Sequence, residues 1–175
     1  GMPELEITLY PETGLQRIVE VLLTYPLEQT LLEQQKEALA RWLEQLASPL
    51  GGLSGDPLVT AAAQALLSVA DYEPEGASNA YALFETGTAN SEGMALAYAA
   101  LCQKLELPCR VAQGELAGAT HFWNVVRTSG GWRHLDLTRN TDSGPALLTD
   151  TQQSESGYTW DAGSIPACLA QEVTG

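Results

Sequence analysis

The stretch Ser91-Glu92-Gly93-Met94-Ala95-Leu96-Ala97-Tyr98-Ala99-Ala100-Leu101 dominates the organisation of this chain. Its apolar residues cover every side of a helix instead of one stripe, which is typical of a helix buried inside a domain. Leu107-Pro108 ends the pattern, because a proline cannot continue a helix. The sequence therefore predicts a central buried helix over residues 91 to about 105.

Three strand-like segments follow this helix, at residues 109–115, 121–127 and 132–137. The turn-forming sequence Thr128-Ser129-Gly130-Gly131 joins the last two and predicts a β-hairpin. With a loop of two or four residues, odd positions of the first strand share a face with even positions of the second. His121 then lies diagonal to Asp136, about 7–8 Å away at the backbone and within reach of a hydrogen bond. A loop of three residues would put the two side chains on opposite faces.

Ser91, His121 and Asp136 are the candidate catalytic residues. A carboxylate bonded to one imidazole nitrogen fixes the tautomer and leaves the other nitrogen to act as a base. A residue at a helix start lies near unpaired backbone amides, which favour negative charge and can bind an oxyanion. Taken singly, the histidine could serve packing, the aspartate could cap a turn, and the serine could be a helix N-cap. Their order and shared face together predict a true or ancestral site.

Residues from about Ala80 to Thr138 resemble the transglutaminase-like core that is widespread in bacterial proteins. Ser91-Glu92-Gly93-Met94 is similar to the family's Cys-Glu-Gly-Tyr type motif at the start of the central helix. His121-Phe122-Trp123-Asn124 resembles its His-Ala-Trp-Asn strand. Gly130-Gly131-Trp132-Arg133-His134-Leu135-Asp136-Leu137-Thr138 resembles its Gly-x-Trp-Tyr-His-x-Asp-x-Thr strand, and Ala80-Tyr81-Ala82-Leu83-Phe84-Glu85-Thr86-Gly87 its lead-in to the nucleophile.

This resemblance implies a papain-like α+β fold with the central helix packed on an antiparallel sheet. It also implies acyl-transfer or peptidase chemistry, with cysteine as nucleophile, histidine as base and aspartate as the residue that orients it. Two departures from the pattern matter for the chemistry: Ser91 replaces the cysteine, and Arg139 replaces a tryptophan.

The missing thiol favours a catalytically degenerate domain that serves as a binding or structural module. An alcohol cannot form the resting ion pair of a thiolate with a protonated histidine. The expected ligand is a peptide, a protein or a cell-wall component, in a cleft formed by Trp123, Asn124, Trp132, Tyr81 and Glu92. Two alternatives stay open: a working Ser-His-Asp hydrolase acting on an ester or amide, and an engineered replacement of a natural cysteine.

Composition excludes several other functions. The chain has 22 acidic residues against 8 Lys and Arg, a formal charge of −14 that repels phosphate backbones, so we expect no nucleic-acid partner. Cys102, Cys109 and Cys168 are an odd number and show no metal-ligand spacing with the two histidines. We therefore expect no metal, no cofactor and no disulfide framework. No apolar run reaches membrane-spanning length.

The remaining sequence predicts one domain over residues 3–175, with a core at about 56–138. A short strand or an extended entry is predicted at 5–9. A helical lead-in over 12–47 consists of one helix ending before Pro26 and a second starting at Thr30. Asp56 is predicted to cap a third helix that ends near Ala70. Residues 71–89 and 139–175 are predicted to be loops, with Tyr158 and Trp160 among the residues that pin the second one to the body. Gly1-Met2 resembles a tag remnant, so a signal or an upstream region could have been removed. The expected location is the bacterial cell surface or the extracellular space, as part of a longer exported chain.

Overall fold

The computed structural model describes residues 4–10, 14, 18–24, 27–139 and 144–170. The chain divides into two compact units, residues 1–38 and 39–175, with the division inside a helix. The domain bounds inferred from the sequence stay a prediction. Within the described ranges, no helix is long and apolar enough to cross a membrane.

The first unit contains a β-hairpin. Strand β1 (Glu4–Tyr10) pairs antiparallel with β2 (Ile18–Thr24), Glu4 opposite Thr24 and Tyr10 opposite Ile18. The strand expected at 5–9 is confirmed, but the helix expected up to Pro26 is wrong over 18–24. Its Ile-Val-Glu-Val segment is rich in β-branched residues, which favour extended backbone once a partner strand is present. The preceding part of that predicted helix lies outside the described residues, apart from Gly14.

Helix α1 (Gln29–Ala47) crosses the boundary between the units and confirms the second predicted helix, starting one residue before Thr30. The second unit then continues through a 3₁₀ turn at Ser48–Leu50 and the following elements: α2 (Gly55–Leu67), β3 (Asp71–Ala77), α3 (Ala80–Thr86), β4 (Thr88–Ala89), α4 (Ser91–Lys104), β5 (Cys109–Leu116), β6 (Ala119–Thr128), β7 (Gly131–Leu135), a 3₁₀ turn at Leu137–Arg139, β8 (Leu147–Leu148), α5 (Asp150–Glu155) and β9 (Tyr158–Trp160).

An antiparallel sheet with strand order β8-β7-β6-β5-β9 packs against the buried helix α4, which confirms the expected α+β fold. The main core lies on the α4 side, where Tyr98 is fully buried and its hydroxyl donates to the Val59 carbonyl at 3.0 Å. The other face carries a second core around Trp123 and Tyr158. In this second core, residues of the C-terminal segment pack on that face of the sheet.

The segment predicted as a loop at 71–89 instead forms β3, α3 and β4. Strand β3 was missed because Asp71-Tyr72-Glu73-Pro74-Glu75-Gly76-Ala77 shows neither apolar alternation nor β-branched residues. It pairs in parallel with β4, and an added Cβ on Gly76 would lie 2.8 Å from the Ala89 carbonyl carbon. Helix α3 begins where the Asn79 side chain accepts from the Ala82 N–H at 2.8 Å. Strand β3 thus forms through the close approach of its backbone to β4 and not through a pattern of side chains.

Two other predictions differ in detail from the structure. Ser54, not Asp56, is the N-cap residue of α2, and the helix ends at Leu67. The Asp56 carboxylate instead accepts from the N–H of Ser129 at 2.6 Å and from its hydroxyl at 2.7 Å. The segment after 139 includes β8, α5 and β9, although Tyr158 and Trp160 do pack against the body as expected.

Candidate functional site

The turn between β6 and β7 sets the register of the site. Thr128 pairs with Gly131 and Arg127 with Trp132, which leaves a loop of two residues. The expectation that odd positions of β6 share a face with even positions of β7 is therefore confirmed. His121 Nε2 and Asp136 Oδ2 lie 2.7 Å apart, and both residues are more than nine-tenths buried.

Asp136 accepts hydrogen bonds on both carboxylate oxygens. The Tyr158 hydroxyl donates to Oδ2 at 2.5 Å, and the Thr138 N–H and hydroxyl each donate to Oδ1 at 2.8 Å. Burial alone would raise the pKa of Asp136, but the hydrogen bonds from His121, Tyr158 and Thr138 outweigh it and lower that pKa below its ordinary value. The carboxylate is thus charged at neutral pH and holds the proton of His121 on Nε2.

In its neutral form, His121 then presents an unprotonated Nδ1. Both of its hydrogen-bond contacts, to Asp136 and to the Thr138 hydroxyl at 3.4 Å, involve Nε2. Within the described part of the chain, Nδ1 has no hydrogen-bond partner. This nitrogen can therefore accept a hydrogen bond from a ligand or act as a general base.

Ser91 is the first residue of α4 and is 8% exposed. The N-cap residue is Asn90, whose side chain accepts from the Gly93 N–H at 3.0 Å, so Ser91 is not needed as a cap. Its Oγ instead accepts from the Phe122 N–H at 3.3 Å and ties the helix start to β6. The Ser91 hydroxyl keeps its own proton available for donation.

Ser91 and His121 line one cleft with a volume of about 620 Å³. Its walls come from β3, the start of α4, the turn between β5 and β6, and the 3₁₀ turn after β7. Glu92 and Arg139 place charges of opposite sign in the lining, and Tyr72 and Phe122 contribute aromatic surface. Tyr72 was not predicted as a cleft residue, because it lies in the segment predicted as a loop.

Of the five predicted cleft residues, only Glu92 lines this cleft. Trp123 is fully buried beside His121, in the core that includes Tyr158 and Cys168 of the C-terminal segment. Asn124 is also buried, and its amide donates to the Ala95 carbonyl of α4 at 2.9 Å. Trp132 lies under the Arg127 guanidinium at 5.8 Å, and the Tyr81 hydroxyl donates to Glu85 at 2.8 Å. These four side chains serve packing and local contacts.

Thr138 and Tyr158 are the residues of the site that sequence reasoning did not assign. Thr138 follows Asp136 by two residues, and an Asp-x-Thr sequence is a signal for a local side-chain turn that could have identified it. Tyr158 comes 22 residues after Asp136 in the chain, and no local pattern connects them. Only the docking of β9 against β5 brings its hydroxyl to the carboxylate.

A second polar cluster lies in the same core. His134 Nε2, Asp150 and Cys168 present atoms within 4.8 Å of one another, a spacing that a metal ion could use. However, the Trp123 indole N–H donates to His134 Nδ1 at 2.8 Å, so Nε2 carries the ring proton and donates to Asp150 Oδ1 at 2.8 Å. Burial and the nearby Asp150 raise the pKa of the Cys168 thiol to about 12. The donor set therefore fits a hydrogen-bond network rather than a metal.

Residues 52–137 match the family model of the transglutaminase-like superfamily. A crystal structure described as that of a TGase superposes with a TM-score of 0.53 at 15% identity, covering 95% of this chain and 50% of that one. A structure described as that of a candidate cysteine protease from Cytophaga hutchinsonii gives a TM-score of 0.49 at 16% identity, covering 83% of this chain and 66% of that one. Curated protein sequences include no match.

The chain thus spans half the length of the TGase that it resembles in fold. The residues matched by the family model include α4, β5, β6 and β7, which carry Ser91, His121 and Asp136. Over residues 52–137, this chain is therefore similar to the transglutaminase-like superfamily.

Proposed function

We propose that the domain is catalytically degenerate and binds a peptide through an amide group in the cleft beside Ser91. The observation that carries this proposal is an open cleft in which an alcohol occupies the position of the family's thiol, next to an unpartnered imidazole nitrogen. The cleft and its polar groups are retained, whereas the reactive sulfur is absent.

The chemistry of the alcohol argues against acyl transfer. A thiol ionises near pH 8.5 and can lose its proton readily beside a histidine at a helix start, but an alcohol is far more basic. His121 would have to remove the Ser91 proton during attack. In addition, Ser91 Oγ already accepts a hydrogen bond from Phe122, which uses one of its lone pairs.

The same groups match the two polar ends of an amide. His121 Nδ1 can accept from the ligand N–H, and the Ser91 hydroxyl and the free N–H groups at the start of α4 can donate to its carbonyl. Glu92 provides a further acceptor in the lining. A peptide presents such groups at every residue, which favours it over a ligand that only accepts hydrogen bonds.

A second candidate is a serine hydrolase that acts on an ester or amide. The complete hydrogen-bonded pair of His121 and Asp136 favours it, since this pair has the arrangement of a base and its orienting carboxylate. A fluorophosphonate probe separates the two candidates, because it reacts with activated serines only.

We expect no stoichiometric fluorophosphonate labelling of Ser91 and no amine incorporation into a glutamine-containing peptide. In an NMR titration, the same peptide should shift the His121 imidazole resonances, whereas a matched depsipeptide, in which esters replace the backbone amides and glutamate replaces glutamine, should shift them less. The Ser91→Ala variant is the control and should weaken this binding. Labelling that Ser91→Ala abolishes would show the hydrolase instead, and unchanged His121 resonances with both peptides would contradict amide binding.

A further inference from the structure

A buried tryptophan lies beside the His121 ring. Trp123 is fully buried, and its ring centroid lies 6.4 Å from that of His121 with the two planes only 22° apart. Tyr158 packs edge-on against Trp123 at 5.2 Å and against His121 at 5.8 Å, while its hydroxyl donates to Asp136. A rotation of the indole would therefore disturb the contacts of the His121 ring with Trp123 and with Tyr158.

The Trp123 indole is itself held by one hydrogen bond, from Nε1 to His134 Nδ1 at 2.8 Å. An indole nitrogen only donates, so His134 must present an unprotonated Nδ1 to it. His134 is fully buried, and its other nitrogen donates to Asp150. Both ring nitrogens are thus committed, and His134 cannot rotate without losing both partners.

Asp150 anchors this arrangement to the C-terminal segment. Its Oδ2 accepts from the Cys168 N–H at 3.0 Å, and its own N–H donates to the Cys168 carbonyl at 2.8 Å. Trp160 packs edge-on against His134 at 4.8 Å and against Trp123 at 6.0 Å. The hydrogen bonds run from Asp150 through His134 to Trp123, whose ring then stacks under His121.

We infer that His134 is a positioning residue for the cleft: by accepting the Trp123 N–H, it fixes the indole plane against which His121 is held in hydrogen-bond contact with Asp136. His134 lies within the residues that match the transglutaminase-like family model, but it is not a member of the candidate triad. The inference goes beyond the proposed function and holds for any ligand, since it concerns the ring that the cleft presents.

The test compares His134→Leu, which removes the acceptor for Trp123, with His134→Asn, whose side-chain oxygen occupies roughly the position of Nδ1. Val59→Ala is the matched control. Val59 is fully buried in α2, so its truncation destabilises the core without touching this network. The chain has 2 histidines, so His121 provides the only imidazole signal in both His134 variants. The readouts are the tautomer of His121 from its ring ¹⁵N shifts and the solvent exchange rate of its Nε2–H proton.

We expect the unmodified protein, His134→Asn and Val59→Ala to keep the Nε2–H tautomer and slow exchange. His134→Leu should show averaged tautomers and exchange faster by roughly tenfold, because His121 can then leave Asp136. If His134→Leu does not fold, Trp123→Phe replaces it, since phenylalanine has no N–H to orient the ring; the same changes in His121 are expected. Unchanged tautomer and exchange in His134→Leu, equal changes in Val59→Ala, or failure of His134→Asn to preserve the signal would each overturn the inference.

This measurement needs no ligand. If the peptide titration fails while the tautomer changes appear, the amide-binding proposal is wrong and the positioning role stands. If the His121 tautomer is insensitive to His134 while the peptide binds, the positioning role is wrong and the amide-binding proposal stands.

Discussion

A single atom separates the residue at the start of α4 from a thiol nucleophile. Ser91 is placed with its oxygen against the Phe122 N–H, in a cleft that also presents His121. The surroundings would suit a thiolate better than an alcohol, since helix starts and a nearby histidine stabilise negative sulfur. The surroundings therefore favour a charged nucleophile, whereas the alcohol of Ser91 does not ionise at neutral pH.

At this residue scale, Ser91→Cys tests whether the environment still activates a thiol. We expect iodoacetamide to alkylate the introduced thiol at least about ten times faster than any native cysteine. Cys102 and Cys168 are fully buried; a hydrogen bond with Cys109 and burial raise the pKa of the Cys102 thiol, and burial raises that of Cys168. The hydrogen bond with Cys102 lowers the pKa of the half-buried Cys109, so Cys109 is the native thiol with which the rate is compared. Peptide mass spectrometry at several time points measures the rates.

The double variant Ser91→Cys with His121→Ala is the control and should react more slowly, because the imidazole no longer stabilises the thiolate. Alkylation no faster than that of Cys109 would mean that the cleft does not activate nucleophiles.

At the scale of elements, the start of α4 is wedged against β4 and the residues after β3. Gly93 allows this contact: an added Cβ would lie 2.3 Å from the Ala77 carbonyl oxygen and 2.7 Å from the Ala89 Cβ. The Asn90 N–H donates to that same Ala77 carbonyl at 3.1 Å, so the backbone there cannot easily move away. The glycine in the Ser-Glu-Gly motif thus serves close packing of the helix that carries Ser91.

We expect Gly93→Ala to lower the free energy of unfolding by about 1–3 kcal/mol or more, the usual range for forcing a methyl group into a packed interior. Gly52→Ala is the matched control, because an added Cβ there meets no atom within 4 Å. Chemical denaturation of both variants measures the difference. Equal stabilities would show that the contact at Ala77 relaxes at little cost.

The elements also differ in how far the sequence predicts them. The uniformly apolar pattern of α4 and the two-residue turn at Ser129-Gly130 are local signals, so the helix and the β6–β7 register follow from them. Strand β3 carries no such pattern and forms because β4 and α4 lie beside it. Strand β2 was predicted as a helix because its apolar spacing also fits a helix, and pairing with β1 selects the extended form.

At the scale of the whole molecule, stability depends on pH through buried groups with shifted pKa values. Burial lowers the pKa of His134, and Asp150 only partly compensates. A histidine with a lowered pKa in the folded state stabilises the fold fully above its unfolded pKa of about 6.5, and this contribution is lost as pH falls from there toward the folded value. Each pH unit in that window costs about 1.4 kcal/mol.

We therefore expect the free energy of unfolding to decline below about pH 6.5, with a further loss below about pH 4 as Asp136, whose pKa is also lowered, takes up a proton. Denaturation curves at pH 7.5, 6 and 5 measure the first decline. His134→Asn cannot titrate and should be less sensitive to pH across that window. Parallel pH profiles for the two proteins would contradict the assignment of the decline to His134.

The sequence by itself predicted the buried central helix, and a hairpin in which a loop of two or four residues brings His121 to Asp136. These follow from periodicity and turn length, which act between neighbours along the chain. Only the tertiary structure decided that Trp123 is buried instead of lining the cleft, that Tyr158 binds Asp136 and that His134 binds Trp123. Those contacts depend on how the C-terminal segment packs across the sheet, and hydrogen bonds between distant residues leave no periodic trace in a sequence.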